Sequence, residues 1–289
     1  MQRDLLYEGG NGAWALVTGG SEGIGLGISQ ELAARGMNVI ISARGEDTLK
    51  AACSSIKEIN PNIQVEYVVA DSSKCQEAVQ KLKSVVANKL ITILVNNVGV
   101  ESGEPEPFES KTLENLDRII DVNIRFSSHL THDFIPIINK NCGSAQNSWK
   151  GAIINLSSVA GKLEIPLLSS YSASKAYNQV FSTSLAKEMR MHGPNKGKID
   201  ILSARPFIVE SRMSQGLTAE STKGRLLCVL KPIQLAKCTL DKLGHVDDCA
   251  PHWIQDLQCK ILCFLQKISR DFLYYPLRNK YLKNMKKDE

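Results

Sequence analysis

The stretch AWALVTGGSEGIG, residues 13–25, decides how this 289-residue sequence is read. Its first half is short and almost continuously apolar, as expected of a parallel strand buried on both faces. It then breaks into Thr18-Gly19-Gly20-Ser21-Glu22-Gly23-Ile24-Gly25 and runs directly into residues of helical period. The spacing TGxxxGxG has a mechanical reason. Gly19 permits the tight turn, Gly23 lets the backbone approach a pyrophosphate, and Gly25 lets helix and strand pack closely. The helix start presents unpaired N–H groups and a partial positive charge to phosphates. Gly19, Ser21, Glu22, Gly23, Ile24 and Gly25 are therefore expected to cradle a dinucleotide.

Working outward, further β-rich runs occur at 37–43, 63–70, 91–97, 151–158 and 198–204. Segments of helical period lie between them: Gly23–Arg35, Asp47–Asn60, Lys74–Lys89, Thr112–Asn139 and Ser170–His192. Strand and helix in alternation predict an α/β fold, a doubly wound parallel sheet of the Rossmann type. No internal repeat or Gly/Ser-rich linker divides the chain, so a single domain over residues 1–250 is expected, with a helical, basic extension over 251–289. A last strand is hard to find after residue 245. In the extension, Ile254, Leu257, Ile261, Phe264, Leu265 and Ile268 recur at three- and four-residue steps. That face either covers the end of the core or lies in a membrane interface.

The second strand ends in Ser42-Ala43-Arg44-Gly45, without the carboxylate that an NAD site places there for the ribose 2′-hydroxyl. A guanidinium in that place welcomes a 2′-phosphate, so Arg44 predicts NADPH/NADP+ as the cofactor. Asp71 follows the third strand and is placed to accept from the adenine amino group. Asn96-Asn97-Val98-Gly99 follows the fourth and brings Asn97 and Gly99 against the adenosine.

Tyr171-Ser172-Ala173-Ser174-Lys175 opens a long helical segment, so Tyr171 and Lys175 share one face at i and i+4. A phenol has an unperturbed pKa near 10, and a neighbouring ammonium favours its ionised form. Ser158 ends the preceding strand and is placed to hold a substrate oxygen; Asn123 is placed to steady a proton-relaying water. Loss of Tyr171 or Lys175 would have favoured a catalytically silent NADP(H)-binding scaffold, and both are present.

With these residues in order, the chain resembles the short-chain dehydrogenase/reductase family over Ala13–Met213, through TGGSEGIG, Asp71, NNVG, Asn123, NLSS and YSASK. The resemblance implies that Tyr171 donates the proton, Lys175 modulates it and binds ribose, Ser158 orients the carbonyl and Asn123 completes the relay. It also implies cofactor contacts from Pro206 and Ile208, in RPFIVESRM. RGMNVIISAR, IPLLSSYSASKAY and Pro206-Phe207 are similar to one branch, the very-long-chain 3-oxoacyl-CoA reductases and related 17β-hydroxysteroid dehydrogenases. That branch implies a lipid ketone or acyl-CoA substrate, with 3-ketosphinganine as the alternative, and a homodimer. Leu163, Ile165, Leu167, Leu168, Phe207 and Met213 suggest an apolar substrate, or the packing of a lid.

Composition removes other classes. The formal charge of +5 owes much to Pro276–Glu289, where five cations face two acids, so a broad nucleic-acid footprint is not expected. The basic tail is a solvated end or meets an anionic membrane. The eight cysteines, at positions 53, 75, 142, 228, 238, 249, 259 and 263, form no CxxC pair and stand with no histidine cluster of zinc-ligand spacing. Reduced thiols and no metal are expected. MQRDLLYEGGNG is neither a signal peptide nor the apolar anchor that the branch carries, whereas Lys286-Lys287-Asp288-Glu289 is similar to a dilysine retrieval signal. The expected location is the cytosolic face of the endoplasmic reticulum membrane, with the cytoplasm as the alternative.

Overall fold

Strand and helix alternate throughout the computed structural model, which describes residues 12–101, 105–142, 149–191, 196–214 and 229–269. The strands are β1 (Ala13–Thr18), β2 (Asn38–Ala43), β3 (Val65–Val69), β4 (Leu90–Asn96), β5 (Gly151–Leu156), β6 (Ile199–Ala204) and β7 (Asp248–Cys249). They form one parallel sheet in the order β3-β2-β1-β4-β5-β6-β7. The helices are α1 (Gly23–Ala34), α2 (Glu46–Ile59), α3 (Cys75–Val86), α4 (Leu113–Ile119), α5 (Ser127–Asn141), α6 (Ala160–Leu163), α7 (Ser169–Met191), α8 (Pro232–Lys242) and α9 (Trp253–Ile268).

The period-two geometry of a strand divides its side chains between two faces. Ala13, Ala15 and Val17 of β1 enter one core with Ile28, Leu32 and Leu49 of α1 and α2 and Leu240 of α8. Trp14 and Leu16 enter the other, with Leu82 of α3, Leu130 and Phe134 of α5, and Met189 of α7. The helices supply matching stripes: Cys75, Ala78, Val79, Leu82 and Val86 are the buried residues of α3, at three- and four-residue steps. Each such Leu, Val or Phe side chain stabilises the fold by roughly 1.5–3 kcal/mol on burial.

β1 pairs with β2 on one side and β4 on the other, so the chain reverses its direction of travel there. In open α/β sheets this reversal opens a crevice beyond the carboxyl ends of the strands.

Three expectations change. The last strand exists: Asp248 and Cys249 pair with Ser203 and Ala204. Two residues are too few to show a period, and the strand is fixed instead by Asp248, whose carboxylate accepts from Arg205 Nε at 2.7 Å and Gln179 Nε2 at 3.0 Å. The helical segment holding Asn123 is not one α-helix, because Ile120–Phe126 is wound as a π-helix between α4 and α5. Finally, the apolar face of α9 is covered only in part, with Ile254, Ile261 and Leu265 half-buried. Gln255, Gln258 and Cys259 are its buried residues, while Leu257, Phe264 and Ile268 are exposed. The tail from residue 270 onward, with the Lys286-Lys287 pair, lies outside the described residues.

Candidate active site

At the carboxyl end of β1 the glycine turn closes on itself. Gly19 has a φ of +63°, a conformation that side-chain-bearing residues rarely adopt. A Cβ on Gly25 would fall 2.1 Å from the Gly19 carbonyl oxygen, so only glycine lets α1 start this close to the strand. Glu22 precedes the helix in an extended conformation, and its side chain makes no cap hydrogen bond to the N–H groups of the first turn. Those donors face phosphate chemistry.

Thr18 and Asn97 lash this turn to the end of β4. Thr18 Oγ1 donates to Val95 O at 3.1 Å and accepts from the N–H groups of Asn97 and Val98 at 3.0 and 3.2 Å. The Asn97 amide donates to Thr18 O and Gly19 O at 2.9 and 3.0 Å. Asn97 borders the cleft, as expected of a residue meeting adenosine, and its amide protons also brace the phosphate turn.

That cleft has a volume of about 770 Å³ and runs from the adenosine end of the sheet to Tyr171. Gly19, Ser21, Glu22, Gly23, Ile24, Arg44, Asp71, Asn97, Gly99, Pro206 and Ile208 all line it, as do Ser158, Tyr171 and Lys175. Gly25 acts behind the turn by packing. Asp71 accepts from the N–H and hydroxyl of Ser73 at 3.1 and 2.8 Å. Burial alone would raise its pKa, but these bonds and the charges of Arg44 and Lys74 outweigh it and hold the carboxyl below its usual range. A phosphate turn, an uncapped helix start and an arginine at the far rim fit a dinucleotide along this cleft.

The reacting end is assembled from four elements. Tyr171 and Lys175 come from the first turns of α7, and Lys175 Nζ stands 5.8 Å from the centre of the Tyr171 ring. Ser158 and Tyr171 line the cleft together, and Ser158 Oγ accepts from Ala160 N–H at 3.1 Å. Burial pushes the Tyr171 phenol up to about 12; Ser158 pulls it down and the Glu101 carboxylate pushes it further up. Burial pushes Lys175 the other way, down to about 8. Its ammonium donates to Leu156 O at 2.9 Å, and its own carbonyl accepts from Ser157 Oγ at 2.6 Å.

Asn123 lies one layer back. Its amide donates to Val100 O and Ser174 Oγ at 2.8 and 3.0 Å and accepts from Val100 N–H at 2.8 Å. Ser174 in turn donates to Tyr171 O at 2.7 Å. Asn123 thus fixes the strand segment after β4 to the start of α7. Gly99 fits between it and the lysine, since a Cβ there would lie 3.1 Å from Lys175 Nζ and 3.4 Å from Asn123 Oδ1.

Several contributors were not singled out from sequence. Ser174 and Ser157 look like ordinary helix and strand-end serines, and only their partners give them a role. Glu101 lines the cleft two residues after Gly99, in a loop with no readable pattern. Asn96 and Asn155 build a buried ladder beneath the site, with Asn96 Nδ2 donating to Thr131 Oγ1 and Asn155 Oδ1 at 2.8 and 2.7 Å and Asn155 Nδ2 to Ser182 Oγ at 2.9 Å. Among the apolar residues expected at the substrate end, Leu168, Phe207 and Met213 border the cleft. Leu163 and Ile165 do not; they pack with Cys259 and Leu262 beneath α9.

A doubly wound sheet with a phosphate turn at its reversal point and a half-buried tyrosine over a buried lysine beside it defines an oxidoreductase that acts on CH–OH and C=O groups. The chain belongs to the short-chain dehydrogenase family, whose model, described as "short chain dehydrogenase", matches residues 13–222. It is 32% identical to the very-long-chain 3-oxoacyl-CoA reductase of Rattus norvegicus over 96% of this chain and 84% of that protein. It is 37% identical to hydroxysteroid dehydrogenase-like protein 1 of Gallus gallus over 70% of this chain, spanning 57% of that relative's length. Among solved structures, a 3-ketoacyl-(acyl-carrier-protein) reductase from Brucella melitensis, complexed with NADH, superposes with a TM-score of 0.68 at 25% identity, over 81% of this chain and 92% of that one. A 7β-hydroxysteroid dehydrogenase shares the fold with a TM-score of 0.76 at 20% identity, over 93% of this chain and 98% of that one.

Proposed function

We propose that the protein reduces the ketone of a long-chain 3-oxoacyl-CoA with NADPH, giving the 3-hydroxyacyl-CoA. The observation that carries this reading is the meeting of Ser158, Tyr171 and Lys175 in one cleft, with Lys175 Nζ 5.8 Å from the Tyr171 ring and Leu168, Phe207 and Met213 on the same walls. A bound nicotinamide supplies the hydride to the carbonyl carbon. Ser158 orients the carbonyl oxygen, Tyr171 protonates it, and the Lys175 ammonium stabilises the phenolate left behind. Asn123 acts as a positioning residue, and the 2′-phosphate is held by Arg44. The similarity to 3-oxoacyl-CoA reductases favours the thioester.

A specific observation favours a second substrate. The Glu101 carboxylate acts on the Tyr171 phenol from within the same cleft. A negative charge there suits a ketone with an ammonium beside it, as in 3-ketosphinganine. Following NADPH oxidation with a long-chain 3-oxoacyl-CoA, estrone and 3-ketosphinganine in parallel tests both. Turnover of the thioester above the others is expected; faster turnover of 3-ketosphinganine would transfer the assignment to the amino ketone, and of estrone to the steroid.

The pH dependence follows from the two shifted groups. With Tyr171 raised to about 12, its phenol stays protonated across the working range and does not limit reduction. Lys175, lowered to about 8, carries its charge below that pH and loses it above. Reduction is therefore expected to be level below about pH 8 and to fall as pH rises through it, in the kcat/KM profile for the ketone. A rate that climbs through this range would contradict the role given to the ammonium.

The apolar residues exposed on α7 and on the turn before α5, Tyr177, Val180, Met191 and Ile120, support a homodimer through these helices. The division at about residue 250 is likewise proposed, with α9 as an extension. The endoplasmic reticulum membrane, cytosolic face, is the proposed location. No helix among the described residues is long and apolar enough to cross a membrane, so contact with it would be at the surface.

A further inference from the structure

α9 is amphipathic in the reverse sense. At about 100° per residue, Trp253, Leu257, Ile261, Phe264 and Ile268 fall within an arc of about 80°. Four of them are open to solvent: Trp253 by 70%, Leu257 by 50%, Phe264 by 63% and Ile268 by 69%. The inward side sets Gln255, Gln258 and Gln266 beside Cys259, Leu262 and Cys263, and the bonds of two of the glutamines fix the helix this way round. Gln255 accepts from Phe207 N–H at 3.0 Å and donates to Ile208 O at 2.9 Å, and Gln266 donates to Leu163 O at 2.5 Å. These bonds satisfy backbone groups on both loops under the helix, and a roll that hid the apolar stripe would break all three.

We infer that this stripe docks the protein on an anionic phospholipid surface. A row of four or five side chains along a helix about 24 Å long is narrow beside the roughly 800 Å² per partner of a stable protein interface. It is enough for a helix lying in the headgroup region. The charge is of the matching sign. Lys260 and Lys267 flank the stripe on one side, both exposed, Lys260 paired with Asp256 at 2.6 Å and Lys267 leaving the flank one positive charge in excess. The sequence that follows, RDFLYYPLRNKYLKNMKKDE, mixes six cations and several aromatic residues with three acids, the composition of an interfacial segment. Because Gln255 holds the backbone of Phe207 and Ile208, docking sets the apolar end of the cleft beside the bilayer. Entry of a lipid ketone from that side rests on the proposed function; the docking itself does not.

The test is flotation of the full-length protein with vesicles of equal parts phosphatidylcholine and phosphatidylserine, against phosphatidylcholine alone, without substrate. The expected result is recovery with the anionic vesicles and quenching of Trp253 emission by brominated lipid. Trp253→Ser with Phe264→Ser should weaken partition about tenfold or more, leaving NADPH binding unchanged. Leu257→Gln with Ile268→Gln should do the same from the other half of the stripe. Absence of wild-type protein from the anionic vesicles would overturn the inference. So would flotation indifferent to both pairs, which would assign binding to the tail alone. A dimer that the substitutions split, with no effect of lipid, would assign the stripe to a second copy of the chain. Failure of the substrate panel would leave each of these outcomes readable.

Discussion

Tyr171→Phe is expected to lower kcat about a thousandfold or more while leaving the Kd for NADPH within about twofold. The size follows from the arrangement. Removing the phenol hydroxyl deletes the proposed proton donor, whose loss costs on the order of 4 kcal/mol of barrier. The ring itself remains to fill the space above Lys175, so the substitution removes one oxygen and little packing. Stopped-flow binding by nicotinamide fluorescence separates the two effects from steady-state turnover. Turnover that survives within tenfold would assign the proton to another group and remove Tyr171 from the chemistry.

Arg44→Asp is expected to reverse cofactor preference, changing the ratio of kcat/KM for NADPH over NADH on the order of a hundredfold. Arg44 stands at the rim beside Ser42, Gly45 and Thr48, where its charge already acts on Asp71. The nearest carboxylate in sequence does not offset it, because Glu46 is held by Lys50 at 3.0 Å and accepts from Tyr67 at 3.1 Å. Aspartate there would repel a 2′-phosphate and accept from a 2′-hydroxyl, so loss with one cofactor should accompany gain with the other. An unchanged ratio would take the discrimination away from this residue.

These positions were readable because their chemistry sits in local sequence. The glycine turn is contiguous, Tyr171 and Lys175 are one helical turn apart, and Arg44 and Asp71 close their strands. Parallel strands buried on both faces also announce themselves as continuous apolar runs. What stayed hidden depended on partners far along the chain. Nothing near β7 marks it, since Asp248 is recognised by Arg205, forty-three residues away. The orientation of α9 defeated a hydropathy pattern because the bonds made by Gln255 and Gln266 decide which side turns inward. The bracing of the glycine turn by Asn97 was hidden in the same way, its carbonyl partners lying nearly eighty residues earlier.

The π-wound segment Ile120–Phe126 has a consequence for how this region tolerates change of length. A π turn carries one more residue per turn than the α-helices it joins, and such turns are uncommon outside functional sites. It lies where the chain meets the site: Ile119 and Phe126 are buried at its two ends, while Val122 borders the cleft and Asn123 reaches Val100. Deleting one of these residues would let the segment regain the ordinary α-helical pitch, and the residues between the two halves would turn to new directions even where the halves keep theirs. Asn123 could keep its identity and still lose its place. Between Leu113 and Asn141 the chain is thus constrained by count as well as by composition, and a single-residue gap there is a larger change than most substitutions.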